Sequence, residues 1–339
     1  MKAKRPTLTA LAIALTAATA AAQPKKPQAP ATPQPAATAA ATATNAPEPD
    51  LVYGAFQRGM YRTAFAEATK RVEEKSDIKA MTLLAELYAD GLGVRKDEQK
   101  AADWYRIAAG RGDREAMFAL AMFKMNGRGG PRDRDGGAKL LASAAKLGHT
   151  AAAYNLALLY IEGQLFPQDF QRAAELLRIA AQAGNPEAQY ALATFYKEGR
   201  GVPQDLREAA RLLGAAALAD NTDAEVEYGI ALFNGTGVAK NEAAAVTYLT
   251  KAARRGSPIA QNRLAFMYAT GQGVKRDPVQ AARWHLIARS AGANDLFLED
   301  YLRKMSPQDR AAGEAAAKPW ITRLAAQQPQ DSPLGTTPP

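Results

Sequence analysis

DIKAMTLLAELYADGLGVRKDEQKAADWYRIAAGRG, residues Asp77 to Gly112, decides the fold. Asp77 is a helix-capping residue type, because its short carboxylate can accept hydrogen bonds from the unpaired N–H groups of a first turn. Ala80, Leu84 and Tyr88 follow at i, i+4 and i+8, one apolar stripe of a helix. Gly91 stops that helix, since glycine adopts the left-handed conformation that closes helix C-termini at little cost. Asp97 then opens a second helical pattern, which carries Ala108-Ala109 and ends at Gly112. The stretch reads as helix A, a turn, helix B and a second turn.

The same pattern recurs at fixed distance. Glycines at 91, 127, 163, 199, 235 and 271 are 36 residues apart, and a second series runs through Gly112, Gly148, Gly184, Gly256 and Gly292, with Asp220 in the remaining slot. Asp77, Asp113, His149, Asn185, Asn221 and Ser257 precede the A helices. Asp97, Asp133, Asp169, Asp205, Asn241 and Asp277 precede the B helices. Pro186, Pro258 and Pro278 follow such caps, where a missing N–H does no harm. Six uninterrupted units fill residues 77–292, which predicts stacked repeats. Composition agrees: 77 Ala against 9 Val and 9 Ile exclude an all-β or parallel α/β protein.

Residues 80–112 resemble the Sel1-like repeat family, relatives of tetratricopeptide repeats. The residues that carry the likeness are Ala80, Leu84, Tyr88, Gly91, Gly93, Val94, Asp97, Ala101, Trp104, Tyr105, Ala108, Ala109 and Gly112, with Ala85 where the family has Gly. The third unit departs from the pattern, with Leu165-Phe166 for Gly-Val, and the second has Gly130 for Val; both turns are expected to differ in shape. The resemblance implies an all-α fold: a right-handed α-solenoid of six 36-residue helix-turn-helix repeats with capping helices at both ends. It speaks for a scaffold, and much less for a particular function.

The flanks divide the rest. Lys2, Lys4 and Arg5 precede an apolar run from Leu8 to Ala22 that ends in small residues, the pattern of an export signal cleaved before Gln23. Residues 1–22 are therefore expected to be a signal peptide, and the mature chain periplasmic. The run is too short and Ala-rich for a stable membrane span. Residues 23–50, rich in Pro, Ala and Thr, are expected to be a disordered linker, and residues 327–339 a tail of like character. Residues 51–76 are expected to cap the first repeat through Phe65, Ala68 and Val72, and residues 293–326 to cap the last, with Ser306 to Asp309 starting a helix that brings Trp320 over it.

Little in the chain suggests catalysis. There is no cysteine, so neither a disulfide nor a lipoprotein anchor is possible. His149 and His285, the only histidines, both occupy slots of the repeat pattern, and no metal or cofactor is expected. Certain disulfide-rich relatives have been associated with penicillin binding, and this sequence holds two S-x-x-K strings, Ser76 to Lys79 and Ser143 to Lys146; neither has the S-D-N or K-T-G partner such chemistry requires. Gly127-Arg128-Gly129-Gly130 lacks the Lys-Ser/Thr of a phosphate loop. The 43 basic residues are mixed with 34 acidic ones for a net +9, not gathered into a nucleic-acid stripe.

The likeness to tetratricopeptide repeats implies a concave groove lined by the residues two, six and nine positions after each unit's first Ala. Those residues are Phe118, Met122, Met125, Tyr154, Leu158, Ile161, Tyr190, Thr194, Lys197, Val226, Ile230 and Phe233, with Phe266 in the sixth unit; the first unit, with Thr82, Glu86 and Ala89, is more polar. A largely apolar strip with an acidic and amide rim suits a protein or peptide partner. The expected function is a periplasmic protein-interaction scaffold or adaptor, not an enzyme. Export, repeats and spacer together are similar to bacterial periplasmic regulators of exopolysaccharide synthesis that restrain a sensor kinase, which implies envelope signalling. The alternatives are a peptidoglycan- or polysaccharide-binding envelope protein and, less favoured, a β-lactamase-like cell-wall hydrolase.

Overall fold

The computed structural model describes residues 51–327. The expected leader (1–22), the linker (23–50) and all of the expected tail beyond Gln327 lie outside the described residues. The described residues form sixteen helices and no strand. Helices α1 (Leu51–Gln57) and α2 (Tyr61–Lys75) come first. The A helices are α3 (Ile78–Asp90), α5 (Arg114–Asn126), α7 (Thr150–Glu162), α9 (Pro186–Glu198), α11 (Thr222–Asn234) and α13 (Pro258–Thr270). They alternate with the B helices α4 (Glu98–Gly110), α6 (Arg134–Lys146), α8 (Phe170–Gln182), α10 (Leu206–Leu218), α12 (Glu242–Arg254) and α14 (Pro278–Ser290). Helices α15 (Leu296–Lys304) and α16 (Pro307–Gln327) close the described chain.

Sequence sets both ends of every repeat helix. All twelve are 13 residues long, and each capping side chain accepts a hydrogen bond from a first-turn N–H. His149 fits the series: its Nδ1 accepts from the Ala152 N–H at 3.0 Å. Such a cap is worth about 1 kcal/mol, so twelve of them fix the phase of the array. Each A helix packs on its own B helix, and each B helix on the next A helix. The first Ala of every unit (Ala80, Ala116, Ala152, Ala188, Ala224 and Ala260) is buried, which lets backbones approach closely. Helix α16 covers α14, bringing the Trp320 ring within 5.9 Å of Trp284, and the Ser306 Oγ caps it by accepting from the Asp309 N–H at 3.1 Å.

The turns carry the junctions between units. Gly237 has φ of +72°, and a Cβ there would stand 1.9 Å from the carbonyl oxygen of Leu206, the first residue of the preceding unit's B helix. Gly93, Gly129, Gly201 and Gly273 make the same approach to Tyr61, Glu98, Phe170 and Glu242. The second unit's turn therefore keeps the common shape despite Gly130. The third does depart: Phe166 stacks on Tyr160 at 5.1 Å, and Arg134 pairs with Glu162 at 3.5 Å and Gln164 at 3.4 Å. Ser76 and Asp220 are the non-glycine residues with positive φ among those described. In both cases an arginine 35 residues later, Arg111 or Arg255, donates to the strained residue's carbonyl.

Candidate functional site

The face formed by the A helices is built from three slots per unit. In three units the first-slot residue touches the N-cap residue of the helix that follows the unit. Thr82 Oγ1 donates to Asp113 at 3.2 Å, Phe118 stacks on the His149 ring at 4.4 Å, and Asn262 Nδ2 donates to Asp295 at 3.3 Å. Because His149 Nδ1 already accepts from the backbone, its Nε2–H donates to Glu115 at 2.9 Å. The slot thus serves stacking on one side and leaves the other side of the residue open.

Nine of the thirteen expected contact residues reach the surface. Phe118, Tyr154, Ile161, Tyr190, Thr194, Lys197, Ile230, Phe233 and Phe266 are half-buried. The other four are corrected by the structure: Met122, Met125, Leu158 and Val226 are only 7, 3, 4 and 5% exposed. Met125 turns inward because Gly137 on α6 has no side chain; a Cβ there would fall 2.5 Å from the Met125 Cγ. Val226 is shorter than the rings that fill its slot in the three preceding units and stays beneath the surface they reach.

The remaining surface has two parts. In units five and six, Ile230, Phe233 and Phe266 line a narrow apolar cleft with Asn234 and Arg263 at its rim, and Phe266 also meets Phe297 of α15 at 5.4 Å. In units three and four, Tyr154 and Tyr190 stand among carboxylates. Burial, together with Glu227, Asp223 and Glu198, pushes the Tyr190 phenol up to about 12. Burial and Glu187 raise that of Tyr154. Glu227 is paired with Lys197 at 3.0 Å and Glu198 with Arg200 at 2.8 Å. Glu187 and Asp223 are exposed, and no ion pair among the described residues involves either. The face is apolar and acidic at once, a chemistry that suits a partner with apolar and cationic groups.

In the first unit, burial and Asp90 raise the Glu86 carboxyl above its ordinary range. The folded chain then takes up this proton at higher pH than the unfolded chain, so Glu86 weakens the fold at neutral pH and ceases to do so on acidification. Glu86→Gln should melt higher than wild type at pH 7. The two melting curves should converge as the pH falls through the raised Glu86 value, and a constant difference would refute the assignment.

Among the described residues no group of three or more His, Cys, Asp or Glu could hold a metal ion. Ser143 Oγ donates to the Lys139 carbonyl at 3.0 Å within its own helix, and Ser76 is a helix C-cap. The sequence reading missed one charged cluster, in which Lys251 and Arg255 clamp Glu225 at 2.9 and 3.0 Å. Arg255 recurs at the slot of Arg111, and Glu225 stands at the A-helix position that Met81, Met117 and Ala153 hold in the first three units, which marks the position as inward-facing.

The Sel1 repeat family model matches residues 78–113, 114–149, 150–185, 186–221, 222–257 and 258–292. The chain is similar to the crystal structure of a Sel1 repeat protein from Oxalobacter formigenes, with 27% identity and a TM-score of 0.61 over 71% of this chain and 98% of that one. It is also similar to c5321, a protective antigen of uropathogenic Escherichia coli strains displaying an SLR fold, with 25% identity and a TM-score of 0.55 over 82% of this chain and 69% of that one. No curated protein matches the sequence.

Proposed function

Since this chain belongs to the Sel1 repeat family, we propose that it is a non-catalytic adaptor of the bacterial envelope that holds a protein partner against the face of its A helices. The observation that carries this reading is the run of half-buried aromatic and aliphatic side chains from Tyr154 and Tyr190 to Ile230, Phe233 and Phe266, rimmed by the exposed Glu187 and Asp223. A patch of that kind loses water readily on contact, and its polar rim selects the partner. The A-helix face supports a protein partner better than a sugar, because Ile230, Phe233 and Phe266 run together into an apolar cleft. No helix among the described residues is long and apolar enough to cross a membrane.

The immobilised chain should retain its partner from envelope extract and lose it when this face is altered; retention through the B-helix face instead would overturn the reading. The location has its own test. N-terminal sequencing of the protein recovered from periplasm should begin at Gln23. A chain that retained Lys2, or that fractionated with the cytoplasm, would refute export.

A further inference from the structure

The described chain begins at the binding face itself. Tyr53, on the first helix, lines an open cleft of about 420 Å³ with Lys79, Thr82, Asp113 and Glu115. Thr82 fills the first slot of unit one, and Glu115 occupies the α5 position that Glu187 and Asp223 hold on α9 and α11. The chain therefore reaches Leu51 at one end of the line of slots and carboxylates that leads to Tyr154 and Tyr190.

The segment preceding Leu51 has a periodicity of its own. Pro24, Pro27, Pro30 and Pro33 recur every third residue, Lys25 and Lys26 lie between the first two, and no acid occurs from Gln23 to Pro47. Three residues make one turn of a polyproline II helix, so four such prolines would share an edge. Polyproline edges dock on aromatic-lined surfaces with little entropy cost, their carbonyls accepting from side-chain donors such as phenols. The charges match as well: two lysines for the two exposed carboxylates that no ion pair neutralises.

The reach is sufficient. Residues 34–50 provide 17 links. A flexible chain of that length has a root-mean-square span of roughly 23 Å and a maximum of about 58 Å. Neighbouring helices pack about 10 Å apart, which puts the third and fourth A helices roughly 20–30 Å from the first.

We propose that residues 24–33 of this chain dock in cis across Tyr154 and Tyr190, with Lys25 and Lys26 toward Glu187 and Asp223, and so compete with the partner for the A-helix face. This rests on the reading of that face as the binding site. A tethered segment has an effective concentration of about 1 mM; one that binds with a Kd of about 100 µM would be roughly 90% docked and would weaken a competitor about tenfold.

The test is fluorescence anisotropy with a labelled peptide of residues Gln23 to Gln34. It is titrated with the full chain, with a variant carrying Lys25→Ser, Lys26→Ser, Pro27→Ala, Pro30→Ala and Pro33→Ala, and with a Tyr154→Ala/Tyr190→Ala variant. The segment variant should bind the peptide about tenfold more tightly than wild type, and the tyrosine variant should lose it. Equal affinity for wild type and segment variant overturns the proposal, as does undiminished binding to the tyrosine variant or no binding to any chain. A dimer in analytical ultracentrifugation that the segment variant abolishes would put the segment on a second copy and overturn the docking in cis. These failures leave the partner face standing, because partner capture is measured without the peptide.

Discussion

Partner capture is expected to fall more than about tenfold when Tyr154, Tyr190 and Phe233 are replaced together by Ala. The best apolar anchors near the middle of an interface contribute roughly 2 kcal/mol or more each, so even partial engagement of the three exceeds one decade in affinity. All three are half-buried on the A-helix face. Leu156 and Leu192, which hold the stack, are buried and untouched, and Tyr228 remains packed on Tyr248. The fold should therefore survive, with equal circular dichroism and similar melting as the condition for interpretation. A charge-reversed control belongs on the B helices, where Glu175 and Arg254 are exposed. Arg255 is unsuitable despite its place beside Arg254, because it supports Glu225. Normal capture by a folded triple variant, with loss in the B-helix control, would move the site to the opposite face.

The largest loss of stability is expected from Lys251→Met combined with Arg255→Met. Glu225 is 0% exposed; its Oε1 accepts from both cations and its Oε2 has no partner. Taking both cations away strands a carboxylate in the interior, where breaking an ion pair costs about 3–5 kcal/mol. The lower end applies, since Lys251 and Arg255 are themselves partly exposed and also serve Asp220. The urea midpoint should shift by the equivalent of about 3 kcal/mol. Adding Glu225→Leu to the pair should restore most of that loss, because an apolar group of similar size asks for no counterion. A double variant as stable as wild type, or a triple variant no better than the double, would show that the cluster does not bear on the fold.

The architecture was legible because each helix end is written in a capping side chain or a turn residue at one fixed spacing. A cap such as His149 is recognisable without a partner structure, since it only has to accept from a first-turn N–H. The binding face was legible only in part, because exposure along an A helix is settled by the unit next door. Met125 and Ile161 occupy the same slot, yet Met125 disappears under Gly137 while Ile161 stays at the surface. Val226 and Tyr190 differ in reach alone. Glu225 is paired across its own unit with Lys251 and Arg255, which its position on the A helix does not by itself reveal.

One junction is held differently from the others. Everywhere else a turn glycine seats directly on the backbone at the start of the preceding helix. Between the second and third units the turn is held instead by Arg134 with Glu162 and Gln164. Salt screens that ion pair, so the force needed to part the second and third units is expected to fall as salt is added.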